Sequence, residues 1–358
     1  MAEGGDATVV LVTGASGFVA THVCYQLLQK GYKVRGTVRD PSNEKKCKPL
    51  RELCPDAKYP IELVRGELTE KECWIEAVKG CHFVVHIASP LPAALPKHED
   101  EIIKPAVNGT LSVLEACAQS GTVKRVVLTS SVAAVSNGFL WETGRLYNEK
   151  DWTDPSQAAP YEKSKTLAEK AAWDFIEKLP SEQKFEFAVI NPALVLGPVM
   201  QGSNCTSMEI PMRLLMRQMP AVPKLNFPII DVRDLAAGHI AALTSDKAAG
   251  NRHIMVSENM WFAEIAKVYA EEFKSQGYRV PTFVSPNWIV RLMAFTDPTL
   301  KMATKALSQI GTYDTTQAKE HLDMKTRPAR ETVIDMAYSL IERGFVPKTA
   351  KYTGPKKA

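Results

Sequence analysis

No stretch of this 358-residue chain reaches the ~18 consecutive apolar residues that a membrane-spanning helix needs. The opening residues Met1-Ala-Glu-Gly-Gly-Asp also lack the basic-then-apolar order of a secretory leader. Seven cysteines, an odd number with no Cys-x-x-Cys pair, argue against a disulfide frame or a zinc site and for a reducing compartment. In such a compartment the glycosylation patterns at Asn108-Gly-Thr and Asn204-Cys-Thr are read as coincidence. His22, His82, His86 and His239 lie inside apolar patterns without metal-ligand spacing, so they are read as structural and no metal is expected. The net charge of +4 is spread along the chain, with only short basic clusters such as Lys45-Lys46-Cys47-Lys48. Nucleic acid is therefore not an expected partner. Internal repeats and low-complexity tracts are missing too. What remains is a cytoplasmic globular protein, monomer or homodimer, with a small-molecule substrate.

What is present is a long alternation of strands and helices. A 45% hydrophobic composition over this length supports a full core and a small second lobe. Strands are expected at Val9–Val12, Tyr32–Val38, Ile61–Val64, Phe83–Ile87, Arg125–Thr129 and Phe185–Ile190. Helices are expected between them at Phe18–Lys30, Glu70–Val78, Glu99–Ser120 and Tyr161–Leu179. This rhythm predicts an α/β fold: a doubly wound, Rossmann-like, mostly parallel sheet. Beyond Pro192 the pattern loosens. The expected division is a dinucleotide-binding domain over 7–191 and a smaller substrate-binding cap over 192–350, with 229–257 returning to the core. The segment Asn287 to Leu307 reads as helical and apolar on several faces, and is left open as a lid, a subunit contact or a buried element.

The most informative stretch is Thr8-Val-Val-Leu-Val-Thr-Gly-Ala-Ser-Gly-Phe-Val-Ala20. A buried strand ends at Thr13, Gly14 makes a tight turn, and Gly17 lets backbone approach a pyrophosphate at a helix N-terminus. A second constellation joins it. Ser130-Ser131 closes the fifth strand, and Tyr161 and Lys165, four apart, share one face of the next helix. A free phenol titrates near ~10, and a nearby ammonium is expected to lower that value. Tyr161 can then give a proton to a carbonyl oxygen while Ser131 hydrogen-bonds the same oxygen.

With these motifs the chain resembles an extended short-chain dehydrogenase/reductase of the dihydroflavonol 4-reductase-like branch, which includes anthocyanidin, cinnamoyl-CoA and fungal methylglyoxal/aldehyde reductases. The likeness runs from Val9 to about Phe345. It is carried by the glycine stretch, Thr37-Val-Arg-Asp-Pro41, His86-Ile-Ala-Ser-Pro90, Val126-Val-Leu-Thr-Ser-Ser131 and Tyr161-x-x-x-Lys165. Leu167-Ala-Glu-Lys-Ala-Ala-Trp173, Asn191-Pro-Ala-Leu-Val-Leu-Gly-Pro198 and Asp231-Val-Arg-Asp234 extend it. The resemblance implies that Ser131, Tyr161 and Lys165 are catalytic and that the cofactor is NADP(H). It implies a pyrophosphate cradle of Gly14, Ser16, Gly17, Phe18 and Val19. Arg39 and Lys46 would hold the 2′-phosphate, and Glu67 and Leu68 would flank the adenine. Ile87, Ala88, Ser89 and Thr129 would line the ribose and nicotinamide path, with Pro192, Ala193 and Leu194 behind the ring. Arg39 also follows from position, since a cation at the end of strand two favours NADP over NAD. Asp40 beside it leaves room for NAD.

Departures from the pattern bear on substrate. Ala106 stands where many extended relatives have a proton-relay Asn. Ser136 replaces the Asn that holds the flavonoid in dihydroflavonol reductases, and Gln157-Ala-Ala-Pro-Tyr161 replaces the cinnamoyl-CoA reductase signature. The expected substrate side is Pro90, Leu91, Ser131, Ser136, Phe139, Met208 and Met212. For the methionines at 208, 212, 216 and 219, core packing is the competing reading. The leading expectation is an NADPH-dependent reductase of aldehydes and ketones. A hydroxysteroid or sterol dehydrogenase, a flavonoid-type reductase and a non-enzymatic dinucleotide-binding redox sensor are the alternatives.

Overall fold

Four adjacent strands show why the core has two sides. Val10, Val12, Val85, Val127, Ala188 and Ile190 are buried in one cluster. Their alternate neighbours Leu11, Val84, Val126, Leu128, Phe187 and Val189 are buried in another. Strands covered on both faces read as continuous apolar runs, as these do, and continuous runs belong to parallel sheets flanked by helices.

The computed structural model describes residues 8–90, 98–137, 141–200, 205–295 and 304–355. Its first half runs β1 (Val9–Val12), α1 (Phe18–Gln29), β2 (Lys33–Val38), α2 (Glu44–Arg51), β3 (Glu62–Arg65), α3 (Glu72–Val78), β4 (Phe83–His86), α4 (Asp100–Ser120) and β5 (Arg125–Thr129). Then come β6 (Leu146–Tyr147), α5 (Pro160–Lys178), β7 (Glu186–Pro192), β8 (Leu194–Leu196), α6 (Glu209–Leu215), β9 (Asn226–Asp231), α7 (Val232–Thr244) and β10 (Arg252–Met255). The chain ends with β11 (Glu258–Trp261), α8 (Phe262–Phe273), α9 (Asn287–Met293), β12 (Thr312–Tyr313) and helices Thr316–Leu322 and Ala329–Glu342.

Seven strands form one sheet in the order β10-β7-β5-β4-β1-β2-β3, with every pairing parallel. The six expected strands are all there, and β10 adds a seventh beside β7. Helices α1 and α7 cover one face; α3, α4 and α5 cover the other. Strand order reverses between β1 and β4, which opens a crevice outside their carboxyl ends.

The loose region beyond Pro192 holds a second, three-stranded sheet, β11-β9-β8, that the sequence pattern does not announce. Its strands are three to six residues long and carry Asn226, Pro228 and Asn259, so no period-two alternation marks them. Behind it α6, α8 and the Ala329–Glu342 helix enclose a separate core containing Tyr269, Phe273 and Met336. Helix α9 covers the first seven residues of the long helical reading, of which 296–303 lie outside the described residues. Val290 is buried there, whereas Trp288, Leu292 and Phe295 stand largely in solvent. No helix among the described residues is long and apolar enough to cross a membrane.

Candidate active site

Parallel strands bring the expected cofactor positions at their carboxyl ends to one edge. Gly14 follows β1, Arg39 follows β2, Glu67 follows β3, Ile87–Ser89 follow β4, Ser131 follows β5 and Pro192 ends β7. At the first of these, Gly14 has φ +68°, a conformation that suits glycine, and an added Cβ would lie 3.2 Å from Ala88 Cβ. Gly17 begins α1 with no side-chain cap, and a Cβ there would meet Gly14 O at 3.1 Å. The result is a concave backbone cradle at the positive end of a twelve-residue helix, which fits a pyrophosphate.

Thr13 ties this cradle to the end of β4. Its hydroxyl accepts from the backbone N–H of Ile87 and Ala88, both at 2.9 Å, and lies 2.9 Å from His86 Nδ1. With both lone pairs engaged, the hydroxyl proton goes to Nδ1. Burial holds His86 neutral, pushing its pKa down to about 3, with the Lys165 charge acting in the same direction. Gly14 N–H in turn donates to Thr37 Oγ1 at 2.9 Å.

The outer rim is solvent-exposed. The Arg39 side chain is 87% accessible and its Nε lies 3.6 Å from Glu67 Oε2. Lys46 is exposed on the first turn of α2. The Asp40 carboxylate is turned onto Ser42, accepting from its N–H at 2.9 Å and its hydroxyl at 2.6 Å. Leu68 packs against α4, where a Cβ on Gly109 would come 2.9 Å from Leu68 Cδ2.

The opposite end of the crevice is closed. Ser131 caps a short 3-10 helix, Val132–Ala134, its Oγ accepting from Ala133 N–H at 3.1 Å. The Ser131 hydroxyl sits beside the Tyr161 phenol and favours its ionised form, and its Oγ lies 3.5 Å from the Pro192 carbonyl oxygen. Pro160 occupies the first turn of α5, where its missing N–H is harmless, and so sets Tyr161 at the helix start. Lys165 follows one turn later and is buried. Burial raises the Tyr161 pKa, with the Ser131 hydroxyl pulling the other way; it also lowers Lys165 to about 8, against the pull of Glu169. The phenol thus moves opposite to the direction expected from the lysine, because loss of water disfavours the phenolate. Thr129 Oγ1 faces inward to His239 Nε2 at 2.7 Å.

On the substrate side three of the expected residues have packed surroundings. Met208 is 1% exposed and packs in the C-terminal core with Leu214 and Phe273, and Met212 lies half-buried against that cluster. Ser136 is 2% exposed, its Oγ 2.6 Å from Tyr313 OH and 3.3 Å from Trp141 Nε1. That hydroxyl is committed to an enclosed aromatic cluster, with Trp141 seated where Gly311 has no Cβ. Pro90 is partly exposed at the crevice edge, and Pro192, Ala193 and Leu194 run from β7 into β8. Leu91 and Phe139 lie outside the described residues.

Residues 10–257 match the model of the NAD dependent epimerase/dehydratase family. The chain belongs to this family of extended short-chain dehydrogenases/reductases. It is 38% identical over 272 residues to a cinnamoyl-CoA reductase of Medicago truncatula, spanning 75% of this chain and 81% of that protein. Against an anthocyanidin reductase of Vitis vinifera it is 37% identical, covering 76% and 82%. Among solved structures, yeast methylglyoxal/isovaleraldehyde reductase Gre2 complexed with NADPH superposes with a TM-score of 0.77 at 29% identity, over 95% of this chain and 100% of that one.

Within the Leu167–Trp173 motif of this dehydrogenase/reductase, one residue has a structural role that the motif does not reveal. Behind Ser131 lies a buried carboxylate, Glu169, fully inaccessible and paired with Arg252 at 2.6 Å. Glu169 continues the Tyr161–Lys165 stripe by one more turn, a spacing visible in the sequence. Arg252 comes from β10, 83 residues away, and nothing local announces it.

Proposed function

We propose that this protein reduces aldehydes and ketones to alcohols with NADPH. The observation that carries the reading is the placing of a backbone cradle at Gly14–Gly17 and of Ser131 and Tyr161 at one edge of a parallel sheet. Bound NADPH supplies the hydride. Gly14, Ser16, Gly17, Phe18 and Val19 hold its pyrophosphate. Arg39 and Lys46 face the 2′-phosphate, with Asp40 occupied elsewhere. Ile87–Ser89 and Pro192–Leu194 border the ribose and nicotinamide.

Within that frame Ser131 hydrogen-bonds the substrate carbonyl oxygen and Tyr161 delivers its proton there. A raised phenol pKa suits this direction, since the group must carry its proton at neutral pH before it can give it up. Lys165, largely protonated at neutral pH, steadies the phenolate that results and holds ribose hydroxyls. The closed Ser136–Trp141–Tyr313 cluster favours compact carbonyl substrates over flavonoids.

The test is a panel of simple aldehydes, diketones, aryl ketones and dihydroquercetin, followed by loss of NADPH absorbance, with NADH in parallel. The expected result is a higher kcat/KM for simple carbonyls, and with NADPH. A markedly higher value for dihydroquercetin supports the flavonoid reading instead, and oxidation of hydroxysteroids with NAD supports the sterol one.

A further inference from the structure

The Glu169–Arg252 pair holds more of the active site than its sequence position suggests. Glu169 Oε2 accepts from the Ser130 hydroxyl at 2.5 Å and from Asn191 Nδ2 at 2.9 Å. Its Oε1 accepts from Arg252 Nε at 2.6 Å and Trp173 Nε1 at 3.4 Å. Asn191 also donates to the Ser131 carbonyl at 3.2 Å. Arg252 Nη2 also donates to Glu169 Oε2 at 3.3 Å, and the guanidinium reaches the carbonyls of Glu149 at 2.9 Å, Asp151 at 2.6 Å and Ala134 at 3.4 Å and lies 3.8 Å from the Trp152 ring centroid. The backbone on both sides of Ser131 is thus tied to one ion pair, and α5, β7 and β10 meet there.

We propose that Glu169, clamped by Arg252, is a positioning residue that keeps the Ser130–Ser131 turn and the Lys165 ammonium in register with Tyr161. This rests on the catalytic roles proposed above. A fully paired buried pair is weak as a source of stability, because desolvation offsets most of its attraction. Its placement one turn behind Lys165, with a direct bond to the residue preceding Ser131, gives it a different use. The carboxylate is also the charge that favours the protonated lysine. Of the other groups near Lys165, Tyr161 on the same helix and His86 on β4 are neutral at pH 7. Glu99 from the start of α4 is paired at 2.7 Å with Lys163, and Arg252 acts on Glu169 itself.

Three variants separate positioning from bulk stability. Glu169→Gln removes the charge but keeps the shape, leaving Arg252 unpaired. Glu169→Gln with Arg252→Met removes both charges, an exchange buried pairs often tolerate. Ser130→Ala removes one donor and no charge. The readouts are thermal midpoint, kcat and KM for a carbonyl substrate, and NADPH Kd against pH by fluorescence. Wild-type binding should weaken above about pH 8 as Lys165 loses its proton, and Lys165→Met should abolish that dependence. In the folded charge variants the weakening should begin at a lower pH, with kcat down about tenfold or more and KM changed far less. Ser130→Ala should lower kcat about threefold or more without moving the pH of weakening.

A folded charge variant with wild-type kcat and an unmoved binding profile overturns the proposal. So does one that loses thermal stability and kcat together with that profile unmoved. Should both charge variants fail to fold, wild-type kcat in Ser130→Ala is the overturning result. If wild type binds NADPH yet reduces no carbonyl compound, the functional reading fails, while the binding profile still tests Glu169.

Discussion

The two ends of the crevice treat charge in opposite ways. At the outer rim Arg39 is almost wholly in solvent, with one carboxylate at 3.6 Å. At the inner corner Arg252 is 7% exposed and Glu169 not at all, and both are tied into the surrounding structure at several points. Water screens the rim charges, so their pairing adds about 0–1 kcal/mol to stability and leaves them free to meet a ligand. The corner charges have lost their water and must be paired to exist there. Under the proposed function, recognition falls at the wet end of the site and geometry at the dry end.

The largest effect that tests this contrast is at the dry end. Tyr161→Phe removes the proposed proton donor while keeping the ring, so turnover should drop by about 10²–10⁴-fold with NADPH binding nearly intact. Steady-state kinetics beside a binding titration decide it, and activity within a few-fold of wild type sinks the mechanism.

At the wet end Arg39→Ala should weaken NADPH about ten- to a hundredfold and NADH hardly at all, with little change in thermal midpoint. Equal weakening of both nucleotides, measured by calorimetry, would mean that another group reads the ribose.

A third test concerns the buried histidines, which share the corner's dryness. Burial lowers His86 to about 3 and His22, His239 and His253 to about 4. Unfolded, each takes a proton near 6.5, so the unfolded chain binds more protons between pH 6.5 and about 4. Stability is present above that window and is lost as pH falls through it. The thermal midpoint should drop by several degrees or more from pH 7 to pH 5. A flat profile would show that these side chains are not held neutral by the fold.

The smallest effect should come from Lys46→Ala. A flexible ammonium at the exposed rim is readily replaced by water and salt, so the loss of NADPH affinity should be a few-fold and should fade at high ionic strength. A loss larger than that of Arg39→Ala would reverse the order of the two cations.

Much of this molecule was legible along the chain because its signals are local. Val9–Val12 followed by Gly14 and Gly17 encodes strand, turn and helix within a dozen residues, and Tyr161 and Lys165 share one helix face through helical spacing alone. Parallel pairing then carried the strand ends to one edge without further instruction. Tertiary structure decided what depends on distant partners. Arg252 reaches Glu169 across 83 residues, and Tyr313 meets Ser136 across 177. Met208 turned inward to a core built from α8 and the last helix rather than toward the crevice. Burial also overrode proximity at Tyr161, since the water a side chain loses depends on everything packed around it, and no spacing rule counts those neighbours.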